Sequence, residues 1–349
     1  MVRRSLIVAA LVAVSSPLAA QDEYVWTSAR PDADAPLGVT GARTLDLGAT
    51  EITYKFTQMN SRGVWYATDS LPLATTLQLY QVVPLTLSRQ THSVIVARGI
   101  TEELTLMAQA EFSVYEREHL TGVGEFYTAG AEALGDITAT AIYEAYRAGP
   151  YRLNISLGGV IPVGKSRTWA CTPFIDPVNK CANTGTAPPE EPLPYDTRPG
   201  GGTFALMPGI TGQVQNAVGS LGGQFRGRIN IGTGLRDFAL GDSYEANGWA
   251  AYRVNDVFSV SAGIRWQIWG TIEGADPLLD RTRDPGSDAV FLAGQRADMP
   301  VGVNFVMPEG SPLAGQRLFF EAVYALHHDY EGPQLGLDWG INVGWKMGF

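Results

Sequence analysis

Leu335–Phe349 reads LGLDWGINVGWKMGF and alternates from end to end. Leu335, Leu337, Trp339, Ile341, Val343, Trp345, Met347 and Phe349 are apolar; Gly336, Asp338, Gly340, Asn342, Gly344, Lys346 and Gly348 lie between them. A period of two places the apolar residues on one face of an extended strand and the small or polar ones on the other. The ten steps from Trp339 to Phe349 rise by about 3.3 Å each, and a tilt of roughly 40° turns them into about 25 Å of height. That matches the apolar band of an outer-membrane barrel, whose strands show this pattern with an aromatic residue at the last position.

The same period recurs across the chain. The candidate strands are Thr44–Met59, Leu85–Arg98, Glu103–Glu116, Gly135–Arg147, Tyr151–Val163, Thr203–Val214, Ser220–Gly232, Ala246–Arg253, Val257–Gly270, Met299–Met307, Gln316–His327 and Leu335–Phe349. They predict an all-β fold: a closed antiparallel transmembrane barrel of about twelve strands, an even number that leaves both termini in the periplasm. The connections sort by length. Gly99–Glu102, Ala148–Pro150, Gln215–Gly219, Val254–Asp256 and Pro308–Gly315 are short. Asn60–Pro84, Arg117–Leu134, Gly164–Gly202, Thr233–Glu245 and Thr271–Asp298 are long, and His328–Gln334 is intermediate. Short and long alternate, as periplasmic turns and extracellular loops do in such barrels. A soluble sandwich has no cause to sort them this way.

Met1–Arg4 is a short basic region, Leu6–Val14 is apolar, and Ser15–Ala20 is built of small residues, so residues 1–20 read as a signal peptide cleaved to leave Gln21 first. The apolar run is too short to span a membrane as a helix. Residues 21–42 read as a short periplasmic segment that either plugs the lumen or hangs free, and 43–349 as the barrel. The precursor carries 25 Lys+Arg against 35 Asp+Glu; losing Arg3 and Arg4 with the leader makes this 23 against 35, a net charge of −12. So acidic a chain argues against nucleic acid as a partner. Cys171 and Cys181 lie ten apart, and in an oxidising periplasm they read as a disulfide.

The faces follow from the period. Tyr151, Leu153, Ile155 and Leu157 point outward, as do Phe258, Val260, Ile264, Trp266 and Ile268. Thirteen ionisable residues fall on the other face and are the candidate lumen lining: Glu51, Lys55, Glu111, Asp136, Glu144, Arg152, Arg226, Arg228, Arg265, Arg317, Glu321, Asp338 and Lys346. Cross-lumen bracing of a narrow barrel is the first reading of this set, and an eyelet that sorts solutes by charge is the second. Arg226, Arg228 and Arg265 form a ladder suited to a carboxylate. Leu85–Arg98 is the least regular strand, polar on both faces between Arg89 and Ser93.

Catalytic and metal readings are poorly supported. The four histidines are His92, His119, His327 and His328. His92 and Ser93 are neighbours on a strand and point to opposite faces, so they form no dyad. No G-x-S-x-G elbow is present. Asp276, Asp280, Asp284 and Asp288 recur every four residues without the spacing of a calcium loop, and read as a solvated loop. No catalytic residue, metal ligand or cofactor is expected.

Several segments resemble one barrel family. These are Ala35–Gly38 (APLG), Ile52–Phe56 (ITYKF), Gly99–Phe112 (GITEELTLMAQAEF), Gly135–Tyr143 (GDITATAIY), Pro150–Gly164, Gly201–Gly212 (GGTFALMPGITG), Ala314–Arg317 (AGQR) and Gly332–Leu335 (GPQL). In this order they resemble the outer-membrane barrels grouped under the putative meta-pathway of phenol degradation. The resemblance spans nearly the whole mature chain. It implies a passive channel or transporter for small, aromatic or hydrophobic solutes, with no catalytic set. Relatives rich in Met and His along the first strands suggest soft-metal handling; this chain departs from them, with only His92 in that region. The alternatives are a structural or adhesive barrel with a blocked lumen and an outer-membrane lipid hydrolase. The expected partners are outer-membrane lipid and lipopolysaccharide, a small-molecule solute, and the barrel-assembly machinery through the strand ending in Phe349.

Overall fold

The computed structural model describes residues 24–182, 187–234 and 237–349. The expected leader, residues 1–20, lies outside them. Eleven strand elements form the wall: β1 Thr50–Ala67, β2 Val82–Gly99, β3 Leu104–Thr121, β4 Ile137–Ala148, β5 Tyr151–Ile161, β6 Phe204–Gln215, β7 Gly219–Ile231, β8 Ser243–Arg253, β9 Phe258–Trp269, β10 Gly294–Val306 and β11 Arg317–Gly348. Each pairs antiparallel with its neighbour, and β11 closes onto β1 from Glu51↔Gly348 to Ala67↔Tyr330.

The 32-residue β11 is a hairpin in one element. Residues 317–330 pair with β10, and 335–348 pair with β1. Bonds between the two halves show the chain doubling back: Asn342 Nδ2 donates to Glu321 Oε1 at 2.6 Å, and Trp345 Nε1 to Gln316 Oε1 at 2.7 Å. Counted as two halves, β11 completes twelve staves, the even number that antiparallel closure requires. The His328–Gln334 connection expected from sequence is therefore absorbed into a tight hairpin tip. No helix among the described residues is long and apolar enough to cross a membrane.

Burial is inverted relative to a water-soluble sheet. Thr53, Ser93, Asn154, Gln224 and Asn342 are buried inward, while Tyr54, Val94, Ile155, Phe225 and Ile341 are exposed on the outer wall. With the outside apolar and its eleven strand elements paired into a closed ring, the wall pairs its strands as a membrane-spanning sheet must.

Two corrections concern the wall. β1 starts at Thr50, not Thr44, because residues 44–49 leave the sheet and turn into the barrel, where Leu45 N donates to Thr105 Oγ1 at 2.7 Å. Asp338, expected in the lumen, is exposed, and Leu337 is buried in its place. The cause is a bulge: Asn60 faces Trp339 and Ser61 faces Leu337, so Asp338 is an extra residue that inverts the facing above it.

Beyond the wall, Phe126–Leu134 adds a strand to the upper part of β3, since β4 reaches only Leu104–Gln109 of it. The long connections lie at one end. Three of them share an apolar nucleus of Tyr195, Phe238, Ile272 and Ala289. The 171–181 disulfide is formed in the longest.

Candidate functional site

Residues 24–49 pass through the short-turn end of the barrel instead of hanging from it. Asp32 and Ala33 are almost wholly buried. The wall holds this segment chiefly by its backbone carbonyls. Asn154 Nδ2 donates to Ala42 O at 2.7 Å, Gln224 Nε2 to Thr40 O at 3.1 Å, Asn304 Nδ2 to Pro31 O at 3.3 Å, and Arg317 Nη1 to Arg30 O at 2.9 Å. Those donors come from β5, β7, β10 and β11, so the segment is tied to opposite sides of the lumen and plugs it.

Asp34 is the electrostatic centre of the plug. It contacts Arg43 at 2.9 Å, Arg317 at 2.9 Å and Lys346 at 3.2 Å. Burial alone would raise its carboxyl, but the charges of Arg317, Lys346 and Arg43 outweigh that and hold it far below the ordinary carboxylate value. Glu51 bridges Lys346, at 3.2 Å, and Arg43. One buried carboxylate thus ties two wall cations to the plug.

Above the plug lies a chamber of about 540 Å³. Arg89, Arg226, Arg228 and Arg296 line it, with Glu245 and Asp196 as its acids. Met59, Met207, Leu335 and Leu337 supply apolar wall, and Trp269 and Tyr330 supply rings. The arginines differ in commitment. Arg296 Nε donates to Asp298 at 2.8 Å and its Nη2 to Gln267 at 2.9 Å. Arg228 reaches Asp136 at 3.5 Å. Arg89 and Arg226 have no carboxylate oxygen within 4.0 Å among the described residues.

Over the chamber the long connections interlock through buried pairs. Asp276 takes Arg198 at 2.9 Å and is gripped by Arg167 through both oxygens. Asp284 takes Arg117 at 2.9 Å and His119 at 3.3 Å. Burial would raise Asp284, yet Arg117 and His119 bring it down to about 2. Burial raises Asp196, and Arg117, at 3.2 Å, offsets that only in part. Asp288 caps a short 3-10 turn by accepting from Val290 N. The aspartates read from sequence as a solvated loop are therefore mostly buried, because arginines from other connections meet them. Among the described residues His119 Nδ1 makes no hydrogen bond, while its Nε2 faces Asp284.

The thirteen residues read as lumen lining separate into groups. Glu51, Arg317 and Lys346 hold the plug, and Glu321 accepts from Gly38 N at 3.4 Å beside it. Glu144 and Arg152 pair at 3.1 Å near the short-turn end, where Arg152 also lies over the Trp26 ring. Glu111 accepts from Gln109 at 2.6 Å and Ser93 at 3.2 Å. Arg265 is clamped to Asp298 at 2.8 Å. Asp136 accepts from Gly201 N at 2.9 Å at the mouth. Arg226 and Arg228 line the chamber, and Lys55 has Glu111, Arg226, Glu321 and Arg265 as its charged neighbours. The expected ladder of Arg226, Arg228 and Arg265 is thus split, with Arg265 committed to Asp298. Asp338 joins none of these groups.

Arg89, Glu245, Arg296 and Asp298 were missed by the sequence reading. The last three precede the expected strand starts Ala246 and Met299, because charges near a strand's end break the apolar alternation used to find it. Arg89 sat in the stretch that read as polar on both faces; the structure sends Arg89, Thr91 and Ser93 inward and His92 outward against Phe56.

No family model matches the chain, and no curated protein matches it in sequence. Solved structures do match it in fold. An outer membrane channel from Pseudomonas putida F1 superposes with a TM-score of 0.58 at 13% identity, over 89% of this chain and 99% of that one. A Pseudomonas aeruginosa FadL homologue gives 0.40 at 10% identity, over 92% and 93%. The translocator domain of the autotransporter NalP from Neisseria meningitidis gives 0.45 at 12%, over 86% and 88%. The fold is that of a bacterial outer-membrane β-barrel.

Proposed function

We propose that this protein is a gated outer-membrane conduit for small organic solutes. Solute enters among the extracellular connections, dwells in the arginine-lined chamber and leaves past the N-terminal plug. The observation that carries this reading is the chamber itself: an amphipathic cavity inside a closed barrel, between loops that interlock and a segment that only threads through. The plug is bound to the wall by single hydrogen bonds to its carbonyls, each worth about 0.5–1.5 kcal/mol, and by the ionic hub at Asp34, so loosening that hub makes partial withdrawal a local event that leaves the wall intact. The process is passive transport and not catalysis, with no metal or cofactor. Membership of the phenol meta-pathway grouping belongs to the same proposal and is supported by the ordered motifs. So do the lipid and lipopolysaccharide around the wall, and recognition of the final strand by the assembly machinery.

A structural barrel with a blocked lumen is the second reading, favoured by the same plug. Solute flux into liposomes separates the two. The mature protein is expected to pass small neutral and anionic organic solutes slowly. A variant lacking residues 24–48, or Asp34→Asn with the chain otherwise whole, is expected to pass them at least tenfold faster. A folded wild type and folded variants that all stay impermeable would sink the conduit reading and leave the structural one.

A further inference from the structure

We propose that the chamber is a binding site for a small amphipathic carboxylate, an aryl- or short alkyl-alkanoate. This rests on the conduit reading and names its substrate class.

Charge is the first argument. Arg226, half-buried, and Arg89, exposed to the lumen, bring two guanidinium groups to one open cavity with no carboxylate within 4.0 Å among the described residues. Elsewhere inside this barrel arginines are matched closely: Arg265 with Asp298, Arg317 with Asp34, and Arg198 with Asp276. Charge taken out of water is costly unless it is paired, so half-buried Arg226, left without a carboxylate in a wall that pairs Arg265 and Arg317, is free to meet an anion that enters, and exposed Arg89 adds a second positive charge to the same cavity. The chamber's own acids do not serve. Glu245 accepts from Asn247 and Gln267, each at 2.8 Å, and Asp196 leans on Arg117. Arg228 Nη2 is buried, makes no hydrogen bond and reaches Asp136 only at 3.5 Å, so a third guanidinium has donor capacity to spare.

Shape and polarity give the rest of the ligand. A planar guanidinium fork matches a carboxylate through two parallel N–H donors, a geometry a hydroxyl or amide cannot reproduce. The apolar side of the chamber, Met59, Met207, Leu335 and Leu337, asks for a hydrocarbon body, and Trp269 and Tyr330 add flat faces. Methionines suit a site that accepts bodies of varied shape. The volume of about 540 Å³ lies in the ~300–1,000 Å³ range of small-molecule sites. The bulge at Asp338 contributes directly. By inverting the facing above it, it turns Leu337 into the chamber where an aspartate would have repelled an anion.

The test is calorimetric titration of the purified mature protein with 3-phenylpropionate and with 3-phenylpropionamide, which has the same body and no charge. The acid is expected to bind at least tenfold more tightly than the amide at neutral pH. Arg226→Met and Arg89→Met should each weaken acid binding tenfold or more and leave the amide unchanged. Arg226→Lys, which keeps the charge and loses the fork, should fall between. Circular dichroism and heat-dependent gel migration establish that each variant is folded. Equal binding of acid and amide, no binding of either, or an acid affinity unmoved in folded Arg226→Met and Arg89→Met would overturn the assignment. Liposome flux keeps the two proposals apart. Passage of both compounds without preferential acid binding removes the carboxylate site and leaves the conduit; acid binding without passage removes the conduit and leaves the site.

Discussion

The two ends of the lumen are closed by opposite physical means. At the short-turn end a single run of chain, 24–49, offers its carbonyls to donors on four strands and its Asp34 to Arg317 and Lys346. At the other end, connections far apart in sequence hold one another through Arg–Asp pairs and a small apolar nucleus. The plug has scarcely any core of its own and owes its place to the wall. The cap has a core of its own and is anchored to the wall where Arg117 and His119 of β3 hold Asp284. A closure of the first kind can be released as a unit by weakening one hub, whereas the second must be dismantled pair by pair.

The largest effect is expected from breaking the hub. Asp34→Asn leaves Arg317, Lys346 and Arg43 facing one another in a buried site, and loss of one partner from such a cluster costs on the order of 3–5 kcal/mol. Hydrogen exchange at residues 24–49 should rise steeply while the wall stays protected; unchanged protection of the plug would show that its carbonyl bonds alone hold it. Asp284→Asn should act at the opposite end and less widely. It strips Arg117 and His119 of their shared partner, and limited proteolysis should then cut the 270–293 connection while the plug remains protected. Cleavage that spread to residues 24–49 would break the claimed independence of the two closures.

Acid sharpens the comparison. Asp34 sits far below the ordinary 3.8, so its contribution, present above that value, survives as the pH falls through the working range. Asp284 sits at about 2, so its contribution of about 2 kcal/mol is whole above 3.8 and drains away as the pH falls through 2. Asp196 is raised, so it takes up a proton first and relieves a burial cost before Asp284 is lost. The cap should therefore loosen below about pH 3.8 with the plug still docked, as hydrogen exchange of the two segments at pH 6, 4 and 2.5 would reveal. A plug released before the cap would contradict the Asp34 assignment. The smallest effect belongs to Asp338→Ala, an exposed bulge position: stability should move by no more than about 0.5 kcal/mol, and flux should not change.

Much of the wall was legible beforehand. Tyr151–Ile161 and Phe258–Trp269 match the expected strands almost residue for residue, because a stave with lipid outside and side chains inside must alternate. The facing of Ile155 and Arg265 came from the same rule. The plug was not legible, since residues 24–49 carry no period and are recognised through carbonyl oxygens that every residue possesses. Asp338 was misplaced because a one-residue bulge leaves no mark in an alternation that continues on both sides of it. Asp276 and Asp284 looked solvated because their partners, Arg198 and Arg117, are distant in the chain.

The amino-acid sequence by itself determined the barrel, which connections share an end and the facing of residues such as Ile155 and Arg265, since these rest on local period and on the length of each connection. The tertiary structure alone decided that the N-terminal segment fills one end, that loop aspartates lock the other, and that Arg89 and Arg226 line the chamber between them with no carboxylate within 4.0 Å among the described residues. Which charges meet is set by closure of the ring, and closure brings together residues that no local pattern relates.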